Sequence, residues 1–172
     1  MINTKQQDHA RFATVYSELP FAEQLVLWGI RMWVRAFNHG DNNHSVLKKG
    51  FSLAGVAEAY GALDALMSIL SRLGQGVVDI KCPCCSEITF DEHRIIGAVA
   101  ACQHDENNSS RDAYLTRWLP PPASQMRYLH VFELANVLKK GGLILNLRVW
   151  VRDLTAEGEH RGFEITNSQL IH

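Results

Sequence analysis

The feature that most limits how this chain can fold is the helical spacing of apolar residues near its start. One apolar stripe runs from Phe21 to Ala36 and a second from Val26 to Phe37, each with a residue at every third or fourth position. Because two stripes bury a helix on most sides, a helix over 20–39 is predicted at the centre of a bundle. The remaining residues form a narrow polar edge: Glu23, Gln24, Arg31, Arg35 and Asn38.

The same periodicity predicts four further helices, at 44–73, 90–103, 110–119 and 123–140. The first of these contains Gly50, Gly55 and Gly61, and each glycine costs about 0.5–1 kcal/mol relative to alanine inside a helix. We therefore expect either tight packing against a neighbour or a break, and favour a break near 48–50. Gly74-Gln75-Gly76 is expected to end that helix, with a glycine as the usual left-handed cap.

The spacing changes near the carboxyl end. Apolar residues alternate from Leu143 to Val151, which predicts a strand, and Phe163 to Ile165 could form a return strand. The sequence thus predicts a mainly α single-domain bundle of five or six helices with a small C-terminal β hairpin or extended tail. Its parts are a polar arm at 1–19, a helical domain at 20–142, and the β element or tail at 143–172.

Composition excludes several classes of protein. With 47% apolar and 20% charged residues the chain is too apolar to be disordered, and charges recur too often in its helices for a membrane span. A formal net charge of -1 gives no general attraction to nucleic acid or anionic lipid. The polar start at 1–9 has no apolar signal segment, which predicts a cytoplasmic protein with reduced cysteines.

Reactive side chains crowd together only in the stretch 80–93. There Cys82-Pro83-Cys84-Cys85 forms a Cys-Pro-x-Cys turn, the shape of a zinc knuckle in which two thiolates share one tetrahedral ion. We predict a structural zinc held by Cys82 and Cys85, with Cys84 as a substitute ligand and His93 as the third group. A closed site needs four ligands, so the last would come from water or from another histidine: His39, His44 or His130.

Two other interpretations of the turn stay open. In the first, Cys82 and Cys85 form a thiol-based redox sensor, because a following helix start stabilises a thiolate. In the second, the turn is only structural. Cys102 is not expected to join either site, since it lies roughly 18 Å along the next helix and shares the apolar face of Ile95 and Val99.

The helix after the turn has a recognisable start. Thr89 and Glu92 are spaced as a capping box, in which each side chain bonds the backbone amide of the other residue. This explains Glu92 as a capping residue, and Asp91 as a first-turn carboxylate, without acid–base chemistry.

Because no nucleophile, base and orienting group occur together, enzymatic function is uncertain, and we expect a regulatory or protein-interaction module. A small enzyme of unidentified chemistry is a further alternative. The apolar segment 143–151 is the predicted contact with a protein partner or a second copy.

Residues 20–140 resemble small uncharacterised helical proteins of alphaproteobacterial type. The shared features are Trp28 and Trp33 on a first helix, an alanine- and leucine-rich second helix, the cysteine turn, Asp91-Glu92 and 100–103 (Ala-Ala-Cys-Gln). The resemblance implies a bacterial, cytoplasmic setting. It implies no activity and no site residue.

Overall fold

The computed structural model describes residues 15–40, 44–104, 114–115, 118–119 and 124–147, with the backbone alone for 124–127. Within these ranges the chain is mainly helical and contains no strand, which confirms the predicted fold class. Five α-helices are described: α1 Phe21–His39, α2 His44–Leu53, α3 Ala59–Leu73, α4 Phe90–His104 and α5 Ser124–Lys140. A short 3₁₀ helix, Tyr16–Glu18, precedes them.

The predicted 44–73 helix is two helices, and the break expected near 48–50 is wrong. The interruption covers 54–58, where Gly55 takes the left-handed conformation at φ 77°. Gly50 lies inside α2, where a Cβ would overlap the ring of Trp28. Close packing of α2 on α1 therefore explains Gly50, and the backbone turn explains Gly55.

Glycine ends two helices in different ways. Gly40 caps α1 with φ 64°, the left-handed conformation that favours glycine at this position. Within the predicted stop Gly74-Gln75-Gly76, the left-handed residue is Gly76 at φ 87°, whereas Gly74 at the C-cap of α3 has φ -65° and ψ 139°. Its amide still donates to the carbonyl of Leu70, at 3.1 Å, which completes the last turn without a positive φ.

The most completely buried helix is α4 rather than α1. All residues from Asp91 to Gln103 are buried, including the expected inward face of Ile95, Ile96, Val99 and Cys102. The polar residues of α4 hide its burial from sequence periodicity, because some of them have partners inside the protein. Asp91, Glu92 and Gln103 all have hydrogen-bond partners within the protein.

The described helices pack against one another in one bundle. Helix α5 contacts α3 and α4, while α1 contacts α2, α3 and α4. Described residues on α1, α3, α4 and α5 are wholly removed from solvent, among them Leu27, Ile30, Leu66, Ile95 and Leu134. On α5, Val131, Ala135 and Leu138 are buried, whereas Phe132 is 44% exposed.

The side chain of Gln103 holds the segment 143–147 against the bundle. Its Nε2 donates to the carbonyl of Leu143 at 2.9 Å, and its Oε1 accepts from the amide of Leu145 at 2.8 Å. One primary amide thus supplies the partners that a neighbouring strand would have supplied, and 143–147 forms no strand. The rest of the predicted strand, 148–151, and its return at 163–165 lie outside the described residues.

Replacing Gln103 by leucine should lower the free energy of unfolding by about 2 kcal/mol, because it leaves a buried amide and carbonyl without partners. Urea denaturation measures this loss. Gln75 is exposed, so Gln75→Leu is the matched control and should change stability by less than about 0.5 kcal/mol. Equal effects of the two substitutions would show that Gln103 does not hold 143–147.

Candidate functional site

The cysteine turn lies on the loop between α3 and α4. Its backbone closes with the amide of Cys85 donating to the carbonyl of Cys82 at 3.1 Å. The two side chains are joined in a disulfide, with a Cα–Cα distance of 5.4 Å. The residues predicted as the first zinc ligands are thus together, and they are in the oxidised form.

Cys84 brings a third sulfur to the turn. Its side chain is exposed, and its Sγ lies 3.0 Å from the Sγ of Cys82. All three sulfurs lie within 4.8 Å of one another, close enough to hold a metal ion. A thiolate binds metal only when it is not in a disulfide, so disulfide formation and metal binding by Cys82 and Cys85 are mutually exclusive.

The predicted third ligand, His93, does not belong to this group of sulfurs. It is only 6% exposed, and its amide donates to the carbonyl of Thr89 in the first turn of α4. The side chain of Glu92 faces the turn. Successive residues of a helix are rotated by about 100° around its axis, which explains why the side chain of His93 does not join the three sulfurs.

The other candidate ligands also lie apart from the turn. His44 contacts Tyr60, at 3.0 Å between Nδ1 and Oη, and His130 contacts Glu133 on its own helix. Cys102 is buried within α4, as expected from its place on the apolar face.

Below the turn lies a buried ion pair that sequence patterns did not indicate. The guanidinium of Arg31 on α1 makes two hydrogen bonds to the carboxylate of Glu92 on α4, Nε to Oε1 at 2.7 Å and Nη2 to Oε2 at 2.9 Å. Both side chains are fully buried. Such two-point pairing fixes the relative position of the two helices as well as neutralising both charges.

The rest of the Arg31 guanidinium holds the cysteine loop. Nη1 donates to the carbonyl of Cys85 at 2.5 Å, and Nη2 donates to the carbonyl of Glu87 at 2.6 Å. The helical spacing predicts Arg31 on a polar edge beside Arg35, which is exposed. Nothing in the spacing separates the two arginines, because the loop that covers Arg31 is distant in sequence.

The Glu92 carboxylate also has several hydrogen-bond partners. Besides Arg31, it accepts the backbone amides of Lys81 at 3.0 Å and Thr89 at 2.9 Å. The amide of Glu92 donates to the Thr89 hydroxyl at 3.1 Å, which confirms the predicted capping box. Glu92 therefore has a second task that the motif did not predict, the binding of Arg31.

A second carboxylate and the Thr89 hydroxyl fix the start of the loop. The Thr89 hydroxyl donates to the carbonyl of Asp79 at 2.5 Å, and the amide of Asp79 donates to Asp91 at 2.8 Å. Together with the Glu92 contacts, these bonds attach the chain on both sides of the cysteines to the first turn of α4. The turn is thus supported by its backbone and by polar side chains rather than by its sulfurs alone.

Tyr16 lies on the outer side of Arg31. Its ring centre is 5.7 Å from the guanidinium carbon, within the range of a cation–π contact. Its hydroxyl donates to the carbonyl of Gln24 at 3.0 Å. Burial raises the pKa of Tyr16 above its ordinary value, and the nearby positive charge of Arg31 opposes that rise. Tyr16 therefore stays neutral at physiological pH.

An apolar cavity lies on another side of α1, lined in part by Trp33, Met67 and Val78. Its volume is about 10 Å³, which is room for about one water molecule. This cavity does not contain the cysteines and cannot admit a substrate.

The sequence matches no family model, no curated protein and no solved structure. Among the described residues, no helix has the length and hydrophobicity needed to cross a membrane. The chemistry of the site therefore has to be argued from its own geometry.

Arg31→Met should lower the free energy of unfolding by about 3–5 kcal/mol, because it leaves the buried Glu92 carboxylate without its counter-ion. Arg35→Met, at an exposed position four residues away, should change stability by less than about 0.5 kcal/mol. Guanidinium titration of both variants makes the comparison.

A double variant isolates the pair. In Arg31→Met combined with Glu92→Leu, the loss should be smaller than the sum of the two single losses, because neither charge is left buried alone. An additive result would mean that the two side chains do not depend on each other.

Proposed function

We propose that this protein is a non-enzymatic regulatory module in which Cys82 and Cys85 form a thiol-based redox switch. The observation that carries the proposal is the Cys82–Cys85 disulfide on a surface turn, with the exposed sulfur of Cys84 beside it. The cytoplasmic location of this protein stays a prediction. In a reducing cytoplasm a disulfide is usually transient and serves catalysis or redox sensing. The absence of any recognised catalytic motif favours sensing.

The reaction needs an oxidant and a reductant from the surroundings. A cysteine thiolate attacks a hydroperoxide, breaking its O–O bond to give a sulfenic acid and releasing an alcohol or water. The second thiolate then attacks the sulfenic sulfur, forms the disulfide and displaces hydroxide, which is protonated to water. Two electrons pass from the cysteine pair to the peroxide, and an external dithiol returns them by thiol–disulfide exchange.

The support of the turn favours reversible chemistry. The two cysteines are only three positions apart, so their disulfide closes a very short loop and contributes about 2 kcal/mol by the chain-entropy relation. The hydrogen bonds to Arg31, Glu92 and Thr89 do not involve the sulfurs. We therefore expect the fold to persist in both oxidation states, as a switch requires.

In buffers of defined glutathione ratio, the protein should interconvert between a dithiol form and a disulfide form that is about 2 Da lighter, one hydrogen per thiol. Mass spectrometry of alkylated samples measures the two populations. Cys82→Ser and Cys85→Ser should each abolish the native pair, whereas Cys102→Ser, which replaces a buried cysteine outside the turn, should leave it unchanged. A chain that stays in one form at every glutathione ratio would exclude the switch.

Zinc binding is the second candidate function, favoured by the closeness of the three sulfurs. In the reduced protein, Cys82, Cys84 and Cys85 would supply three thiolates, a common part of structural zinc sites. The fourth ligand would be water or a residue outside the described ranges. Zinc would then stabilise the turn when the disulfide is absent, and its release would accompany oxidation.

Reduced protein purified without added zinc should retain about one zinc per chain, the stoichiometry of a single tetrahedral site. Elemental analysis measures it. Cys84→Ser should lose the metal together with some thermal stability but keep the Cys82–Cys85 disulfide when oxidised, whereas Cys102→Ser should retain both. A reduced protein free of metal, with no gain in stability on adding zinc, would leave the redox switch as the function.

Self-association or binding of a protein partner through 143–151 stays a prediction. Two exposed apolar side chains support it, Ile144 at 44% and Leu147 at 54%. Leu145, between them, is fully buried against the chain's own core. Among the described residues 143–147, Leu145 is therefore unavailable to a partner, whereas Ile144, Asn146 and Leu147 are exposed.

A further inference from the structure

The three consecutive residues from Cys85 to Glu87 present their backbone carbonyls to two different parts of the protein. The carbonyls of Cys85 and Glu87 accept from Arg31, as described above. The carbonyl of Ser86, between them, accepts the amide of Tyr16 at 2.7 Å. The segment 85–87 thus connects the cysteine pair to α1 and to the residues before α1.

The residues before α1 are docked on this edge. Val15 forms an antiparallel bridge with Glu87, and the ring of Tyr16 covers the guanidinium of Arg31. We call residues 15–18 the docked segment. It contacts the cysteine loop through the Val15–Glu87 bridge with its Tyr16–Ser86 hydrogen bond, and it contacts α1 through the Tyr16 ring on Arg31 and the Tyr16 hydroxyl on the Gln24 carbonyl. This attachment is small enough to open without unfolding the bundle.

Cys85 links these contacts to the redox chemistry. Its Sγ is bonded to Cys82, its carbonyl is bonded to Arg31, and the next carbonyl along the chain is bonded to Tyr16. Reducing the disulfide lets the Cys85 side chain rotate. It also removes a constraint on the backbone torsion angles that set the directions of the Cys85 and Ser86 carbonyls. Zinc binding would instead impose its own positions on the same sulfurs.

We propose that the oxidation state of Cys82 and Cys85 controls the docking of residues 15–18, so that the disulfide form holds the docked segment and the dithiol form releases it. This inference rests on the proposed redox switch and gives that switch an output. Release would uncover the Ser86 carbonyl and the face of Arg31.

Thermodynamic linkage makes the proposal quantitative. If the disulfide strengthens docking by some factor, docking must favour the disulfide by the same factor. Weakening the docked segment should therefore make the disulfide easier to reduce. A purely structural contact that is the same in both oxidation states would not move the redox equilibrium.

Hydrogen exchange followed by mass spectrometry tests the release directly in the unmodified protein. In the dithiol form the amide of Tyr16 should exchange about tenfold faster than in the disulfide form, because its exchange reports local opening. Amides in the middle of α1 serve as the internal control and should exchange equally in both forms. Equal exchange at Tyr16, in a protein shown to interconvert, would overturn this inference and leave the redox switch intact.

The redox equilibrium of a variant tests whether docking in turn stabilises the disulfide. Tyr16→Ala should shift the glutathione equilibrium about tenfold toward the dithiol, which is about 30 mV for a two-electron couple. Tyr60→Ala is the matched control, since Tyr60 contacts α2 through His44 and Lys48, and it should leave the potential unchanged. An unchanged potential in Tyr16→Ala would overturn the coupling, whereas failure of the wild-type protein to form the disulfide at all would overturn the proposed function itself.

Discussion

The buried pairing of Arg31 with Glu92 is the interaction on which the rest of the site depends. Removing both charges from water costs several kcal/mol for each ion, so the pair is stable only because most of its hydrogen-bonding groups have partners. Arg31 bonds two carboxylate oxygens and two carbonyls, and Glu92 also accepts two backbone amides. One ion pair thereby joins α1, α4 and the cysteine loop.

The fold was largely predictable because helix periodicity is a local property. The bounds of α1 and α4 follow from apolar spacing, a capping box and a terminal glycine, all of which act within a few residues. The break between α2 and α3 was misplaced because Gly50 and Gly55 look alike in sequence. Gly50 leaves room for the ring of Trp28, whereas Gly55 allows a positive φ. Only the tertiary structure shows which of these two reasons applies at each glycine.

The site was only partly predictable, for the same physical reason. The cysteines stand next to one another in the chain, so their clustering could be inferred, and so could the cap formed by Thr89. Arg31 lies 61 residues before Glu92, and the sequence contains no signal that a loop would close over it. The strand predicted from 143 failed within the described residues because Gln103, a side chain 42 positions before Leu145, replaced the partner strand.

The way in which Arg31 holds the loop also limits how this sequence can diverge. Its loop partners are the carbonyls of Cys85 and Glu87, and every amino acid has a carbonyl, so the exposed side chains of Ser86 and Glu87 can be exchanged without altering the anchor. Arg31 and Glu92 cannot be substituted singly in this way, because the remaining charge would be buried without a counter-ion. Related chains should therefore vary freely at positions 86 and 87 and change positions 31 and 92 only together.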